Sequence, residues 1–409
     1  MNKYSLSALA AAGLLAGGLA TSANAADLGG NCCADLEERV AELEATTARK
    51  GNRKVSLTIS GWVTEQVTWW DDGVESNTYV TGAGTTLGSN VKFTGQATIV
   101  PGWTAGYVLH LEMDGSDALT TNASTPNGAG LFAKTANYAQ TLQSYWFVKS
   151  ETLGKVGIGL QSMVADNAAI LVDGSGSLVP ANWVAFDVFS FNVRNNTANA
   201  VTWGGAGACL PGDCFGVPVN SVRYDSPVFA GFSASASWGD DDAWDIGLRY
   251  AGELHGFKVA ATVVYAESTG TSSTFGEREY TQAGLYLQHI GTGIFGLINY
   301  ANIEDTSSNG LGFGGDGDTW YFKAGLRRNW NHLGATVLYG EYLTSDADAA
   351  AVNVAGDREL NWWGLGVVQE VDAAAMSFWL KYRNYEFEDN TATQFEDMNE
   401  VTFGALINF

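Results

Sequence analysis

Proline is scarce in this chain, 6 residues in 409, and histidine scarcer still at 4. A chain so poor in proline keeps the backbone donors that long hydrogen-bonded ladders need, because proline inside a sheet removes one. A hydrolase needs a nucleophile, a base and an orienting group within reach. The four histidines (His110, His255, His289 and His332) come with no paired serine motif, so no enzymatic activity is expected. Basic residues are also few: 21 Lys+Arg stand against 44 Asp+Glu, a formal charge of −23. That balance lacks the basic footprint of a nucleic-acid binder, and no nucleic-acid partner is expected. Beyond the N-terminus no apolar run is long enough for a membrane-spanning helix, since Gly, Ser, Thr and Asn keep interrupting. This excludes a helical membrane protein and leaves a β-barrel open, because a barrel strand shows lipid only every second residue. What is abundant fits such strands: aromatics at 12%, with 14 Trp, and 50 Gly for turns.

The N-terminus is read as a signal peptide. Met1-Asn2-Lys3 gives a short positive start, Leu6 to Ala20 is almost wholly apolar, and Ala23-Asn24-Ala25 is a small-x-small cleavage signal. About fifteen apolar residues fall short of the ~20 a spanning helix requires. Cleavage after Ala25 and export are therefore expected. Gly29-Gly30-Asn31 before Cys32 lacks the leucine of a lipid-attachment signal, so no lipid anchor is expected at Cys32 or Cys33.

From Val55 onward apolar residues recur at every second position, the period of a strand. Val55, Leu57, Ile59 and Val63 oppose Ser56, Thr58, Ser60 and Thr64; Phe232, Ala234, Ala236 and Trp238 oppose Ser233, Ser235 and Ser237. At the C-terminus Val401, Phe403, Ala405, Ile407 and Phe409 share one face. A soluble sandwich would alternate in the same way. Three features favour a membrane barrel instead. The strands run for about nine to fourteen residues, against ~5–6 in soluble sheets. The polar face carries charge in mid-strand, at Arg223, Arg249, Lys323, Arg327 and Lys381, where a small soluble barrel would be packed with apolar groups. Short connections alternate with long ones, as periplasmic turns alternate with extracellular loops.

The expected fold class is thus all-β and transmembrane, an antiparallel barrel of about sixteen strands. They are expected near residues 55–70, 90–100, 103–114, 141–149, 154–162, 219–226, 231–238, 243–251, 256–267, 278–289, 293–304, 318–329, 332–343, 358–370, 374–388 and 397–409. An even count leaves both chain ends on the periplasmic side, and this size class encloses an aqueous channel.

Residues 163–218 break the rhythm, and they are rich in large apolar groups such as Ile170, Trp183, Phe186, Phe189 and Phe191. A loop so long and apolar should be packed against something. It is expected to fold into the barrel and narrow it, with Asp166, Asp173 and Asp187 facing basic groups on the wall. By strand parity those are Arg223, Arg249, Lys323, Arg327, Lys381 and Arg383. Opposed charges across a narrow lumen would select ions by charge, although the same Lys and Arg could simply solvate the lumen and pair with neighbouring carboxylates. Cys209 and Cys214 lie in this insertion, and in an oxidising compartment a disulfide is the leading reading. Metal binding there is disfavoured because no further Cys or His completes four ligands. The short acidic run Asp316-Gly317-Asp318 is too small a framework for calcium. No metal or cofactor is expected.

Residues 26–54 form a linker of different character. Asp35 can cap a helix, with Glu37 and Glu38 in its first turn and Arg49 and Lys50 at its end. Leu36, Val40 and Leu43 recur at coiled-coil spacing, which would serve three barrels held together. A frayed linker is the equal alternative.

These residues resemble the alphaproteobacterial porin family along nearly the whole chain. The likeness is most specific in Cys32-Cys33-Ala34-Asp35-Leu36-Glu37-Glu38-Arg39-Val40-Ala41-Glu42-Leu43-Glu44, in Gln143-Ser144-Tyr145-Trp146-Phe147-Val148 and in Asn220-Ser221-Val222-Arg223-Tyr224-Asp225-Ser226-Pro227. It implies a sixteen-stranded homotrimeric porin with an inward-folded third loop, set in outer-membrane lipid and lipopolysaccharide and passing small hydrophilic solutes. Phe409, last on an alternating strand, is similar to the signal read by the barrel-assembly machinery. The insertion departs from the family in having few basic residues, Arg194 being the clear exception and a further candidate for the constriction. The net acidity suggests a weak preference for cations. A substrate-specific channel for sugars or small organic acids is the alternative, because Trp62, Tyr145, Tyr286, Trp379 and Tyr385 fall on the lumen side by parity.

Overall fold

The computed structural model describes residues 54–84, 86–113, 118–126, 139–195, 201–208, 212–240, 242–270, 274–305, 316–348, 357–390 and 393–409. The expected signal peptide, the linker up to residue 53 with its helix, and Cys32, Cys33 and Cys209 lie outside the described residues.

The chain forms one antiparallel meander. Its strands are β1 (Thr58–Asp71), β2 (Ser76–Thr81), β3 (Asn90–Val100), β4 (Trp103–Glu112), β5 (Gln140–Ser150), β6 (Gly154–Gln161), β7 (Val219–Asp225), β8 (Phe232–Gly239) and β9 (Ala243–Leu254). They continue as β10 (Phe257–Ser268), β11 (Arg278–His289), β12 (Ile294–Asp305), β13 (Gly317–Arg328), β14 (Thr336–Ala347), β15 (Arg358–Val371), β16 (Met376–Asp389) and β17 (Met398–Asn408). Each strand from β3 onward pairs with the next, and β17 returns to β1, with Val63 opposite Ile407 and Val67 opposite Phe403. Past the last paired residue, Gly61 and Phe409 exchange both backbone hydrogen bonds, at 3.1 and 3.0 Å. The sheet therefore closes on itself, which a span through hydrocarbon requires.

β2 and β3 both pair with β1 on the same side, β2 with its upper half and β3 with its lower half. They share one position in the barrel, so seventeen segments make a closed barrel of sixteen strands. β2 is the element the sequence pattern does not predict. The other sixteen lie where expected, with β14 starting at Thr336 instead of residue 332.

Alternation decides which way each side chain points. On β8 and β9 Phe232, Trp238, Trp244, Ile246 and Leu248 are exposed on the outer surface, while Ser235, Ser237 and Asp245 are buried inside. The outer belt continues through Val263, Leu285, Ile298, Phe322, Leu365, Leu380 and Phe403, an apolar face for lipid.

The turns at the end carrying Phe409 are short. His255 and Gly256 alone join β9 to β10, with φ of 49° and 84°, the paired left-handed conformation of a tight hairpin turn. At the opposite end six connections are long, but 72–75 and 240–242 are as short as the turns. The alternation of short and long connections is therefore interrupted at these two places.

Candidate functional site in the barrel lumen

All six basic wall residues singled out from the sequence lie on the inner face. Lys323, Lys381 and Arg383 are buried, and Arg223, Arg249 and Arg327 are half-buried. A charged group can be buried only if paired and hydrogen-bonded, and between them these six find partners in two places: acidic residues of the wall and the segment between β6 and β7.

The described residues of that segment, 162–195, 201–208 and 212–218, lie against the inner face of the wall, and their contacts run in chain order. At its start the Arg223 guanidinium donates to the carbonyls of Ser162 and Met163 at 3.0 and 3.1 Å. Arg249 donates to Val164 O at 3.1 Å, the Ala165 N–H donates to Asp245 at 2.8 Å, and Gln282 donates to Ala165 O at 2.8 Å. In the middle Lys323 is paired with Asp173 and donates to Ala181 O at 2.7 Å. Arg327 grips Glu370 through two bonds of 2.6 Å and reaches Ser175 O at 2.9 Å. Arg383 holds Glu341 at 2.7 and 2.9 Å, reaches Asn182 O at 2.9 Å, and sits over the Trp362 ring. Lys381 is paired with Asp187 and, at 3.2 Å, with Glu400. Towards the end Arg358 donates to Gly205 O, Ala208 N–H to Ser345 Oγ, and Tyr280 OH to Gly212 O.

Two-oxygen arginine pairs fix direction as well as charge, so the segment is held in a defined path. Its apolar groups add packing. Trp183, Phe191, Trp203 and Phe215 are fully buried, and Phe215 stacks on Phe275 and Tyr280 at 4.2 and 5.6 Å between ring centroids. Among its described residues the segment contributes only short 3-10 turns, Ile170–Val172, Phe186–Val188 and Trp203–Gly205.

These contacts refine the expected roles. Asp173 and Asp187 touch Lys323 and Lys381 directly instead of facing them across water. Lys323, Arg327, Lys381 and Arg383 act as anchors for the segment. Arg194, expected beside them, is elsewhere: it pairs with Asp72 at 2.6 Å and Glu75 at 2.8 Å, tying the segment to the β1–β2 connection at the mouth. Cys214 is disulfide-bonded, whereas Cys209 lies outside the described residues.

A second group of charges borders open space. An opening is lined by Thr86, Lys92, His110, Asp166, Arg223 and Arg249, among others. Asp166 hydrogen-bonds its neighbour Asn167, and burial raises its carboxyl to about 6. Neither ring nitrogen of the buried His110 has a hydrogen-bond partner among the described residues. Lys92, Glu341, Glu370 and Glu400 were not singled out from the sequence. Parity alone places them inward, since each stands between outward-facing neighbours on its strand.

The chain matches the family of Gram-negative porins over residues 6–391. No curated protein sequence matches it. Among solved structures it is similar to the anion-selective porin from Comamonas acidovorans, at TM-score 0.56 and 15% identity, covering 87% of this chain and 100% of that one. It is also similar to OmpF of Salmonella typhi in complex with daunomycin, at TM-score 0.54 and 12% identity over 88% and 99% of the two chains. The trimer form of OmpT from Vibrio cholerae matches at TM-score 0.50 and 12% identity over 87% and 99%.

Proposed function

The chain belongs to the Gram-negative porin family and is an outer-membrane diffusion channel, and from that premise we propose that residues 163–218 form its constriction and pass small hydrophilic solutes and ions without chemistry. The observation that carries this reading is the series of contacts from Arg223 to Arg358, which binds the segment to the lumen wall along its length. The opening left beside it is bordered by Lys92, Arg223 and Arg249 against Asp166. Charges far from the narrow zone are screened within about 8 Å at physiological salt. The lining therefore outweighs the net acidity of the chain, and it favours anions where the total charge would favour cations. The test is planar-bilayer recording of the purified protein under a salt gradient. Deleting residues 166–190 should raise the unitary conductance, and an unchanged conductance would rule the constriction out.

The inward aromatics support general diffusion over a dedicated sugar or acid channel. Trp62, Tyr145, Tyr286, Trp379 and Tyr385 are all buried, so their ring faces are covered and offer little for a passing solute to stack on. A homotrimer fits the family, and the acidic-capped helix expected near residues 35–50 would suit the junction of three barrels. Export with cleavage after Ala25, pairing of Cys209 with Cys214, recognition of Phe409 by the assembly machinery, and contact with lipopolysaccharide belong to the same reading. Closure of the channel in three equal steps would support the trimer, and single steps alone would count against it.

A further inference from the structure

The barrel strand made of β2 and β3 is interrupted by a detour. Thr81 stands opposite Gln66 and Asn90 opposite Trp62. A regular strand would bridge that interval with three residues, but the chain has eight, 82–89. An ordinary bulge inserts one extra residue, whereas here there are five.

The described residues of the detour turn into the lumen. Ala83 and Leu87 are each 5% exposed. Trp62 Nε1 donates to Leu87 O at 3.0 Å, and the Gly88 N–H donates to Glu112 on β4 at 3.1 Å. Ser89 mends the broken ladder. Its Oγ accepts from Thr64 N–H at 3.0 Å and donates to Thr64 O at 3.1 Å. Gly84, at φ +95°, lies so close to Phe186 that a Cβ would come within 2.5 Å of the ring. Thr86 has φ of 75°, a left-handed conformation costly for a β-branched residue and common where the backbone serves a site.

Space lies beside the Gly84–Phe186 contact. Ala83, Gln66, Asn182, Asp187 and Lys381 border a small gap. Thr86 borders the opening lined by Lys92, Arg223 and Arg249.

We propose that residues 82–89 are a second constriction element, which meets the inserted segment at Gly84 and Phe186 and leaves the opening beside Thr86 as the route for solutes. The inference rests on the channel reading and adds a wall to the eyelet that the inserted segment alone would leave wider.

Two kinds of variant test it in planar bilayers. Deleting residues 83–87 lets β2 run into β3 in a single register, and the folded variant should show a higher unitary conductance than the wild type. Thr86→Asp and Thr86→Lys leave the strand intact and should move the reversal potential in opposite directions, each by about a twofold change in relative permeability. A folded deletion variant with wild-type conductance overturns the proposal, as do two Thr86 variants with the wild-type reversal potential. If the deletion does not fold, the Thr86 pair decides alone. Absence of any channel from the folded wild type would instead fail the channel reading, whereas a conducting wild type with insensitive variants fails only this inference.

Discussion

Lys323 on β13 and Asp173 in the inserted segment form an ion pair from which water is shut out, their side chains 0% and 2% exposed. Such a pair gives little net stability over an apolar substitute of the same shape, but removing one partner leaves a buried charge alone, at a cost of about 3–5 kcal/mol. Lys323→Met is therefore expected to lower the stability of the folded barrel by that order and to loosen the segment. Lys323→Met combined with Asp173→Asn should recover most of the loss. Thermal unfolding in detergent, followed by circular dichroism, checks both; a single variant as stable as the wild type contradicts the pairing.

Ion preference should follow the opening and not the whole chain. A unit charge about 8 Å from a passing ion in water is worth about 0.5 kcal/mol, roughly twofold in relative permeability. Arg249→Gln should shift the reversal potential toward cations by about that factor. A charge removed from the outward face of the wall, such as Glu359→Gln on β15, should shift it far less.

The outer belt can be tested at one position. Leu285 is exposed on the outer face of β11, and Leu285→Arg would place a cation in hydrocarbon at a cost of about 2–4 kcal/mol near mid-membrane. Urea titration of the protein folded into lipid vesicles should show a lower midpoint. A midpoint equal to that of the wild type would mean that this face does not meet lipid.

Phe409 closes the seam with Gly61 through its backbone, while its ring is exposed. Phe409→Ala keeps both backbone bonds. It should refold in detergent like the wild type, yet reach the outer membrane in reduced amount. Equal amounts of assembled protein in cell envelopes would remove any role for the ring in assembly.

The long strands were legible because each buries one face only, so alternation marks them, and parity alone put Lys323, Lys381 and Arg383 inside. β2 was hidden for a physical reason. Ser76 to Thr81 offers only Tyr79 and Val80 as large apolar groups, and Asp71-Asp72-Gly73 before it and Gly82 and Gly84 after it read as loop. The partners inside the lumen were beyond reach for a different reason. Asp173 lies 150 residues from Lys323 and Asp187 lies 194 from Lys381, so the pairing is set by how the barrel closes and not by any local pattern. Arg194 shows the reverse error: its charge was read correctly, but its place depended on Asp72 and Glu75, more than a hundred residues earlier.

The Lys323–Asp173 and Lys381–Asp187 pairs are shut away from water behind the inserted segment, whereas Arg223 and Arg249 are only half-buried where they border the opening. Dissolved salt weakens electrostatic forces only where its ions can reach. Brine should therefore erase the channel's preference between anions and cations while leaving its bore unchanged. A cell moving between dilute and salty surroundings would keep a filter of fixed width whose discrimination by charge rises and fades with the medium.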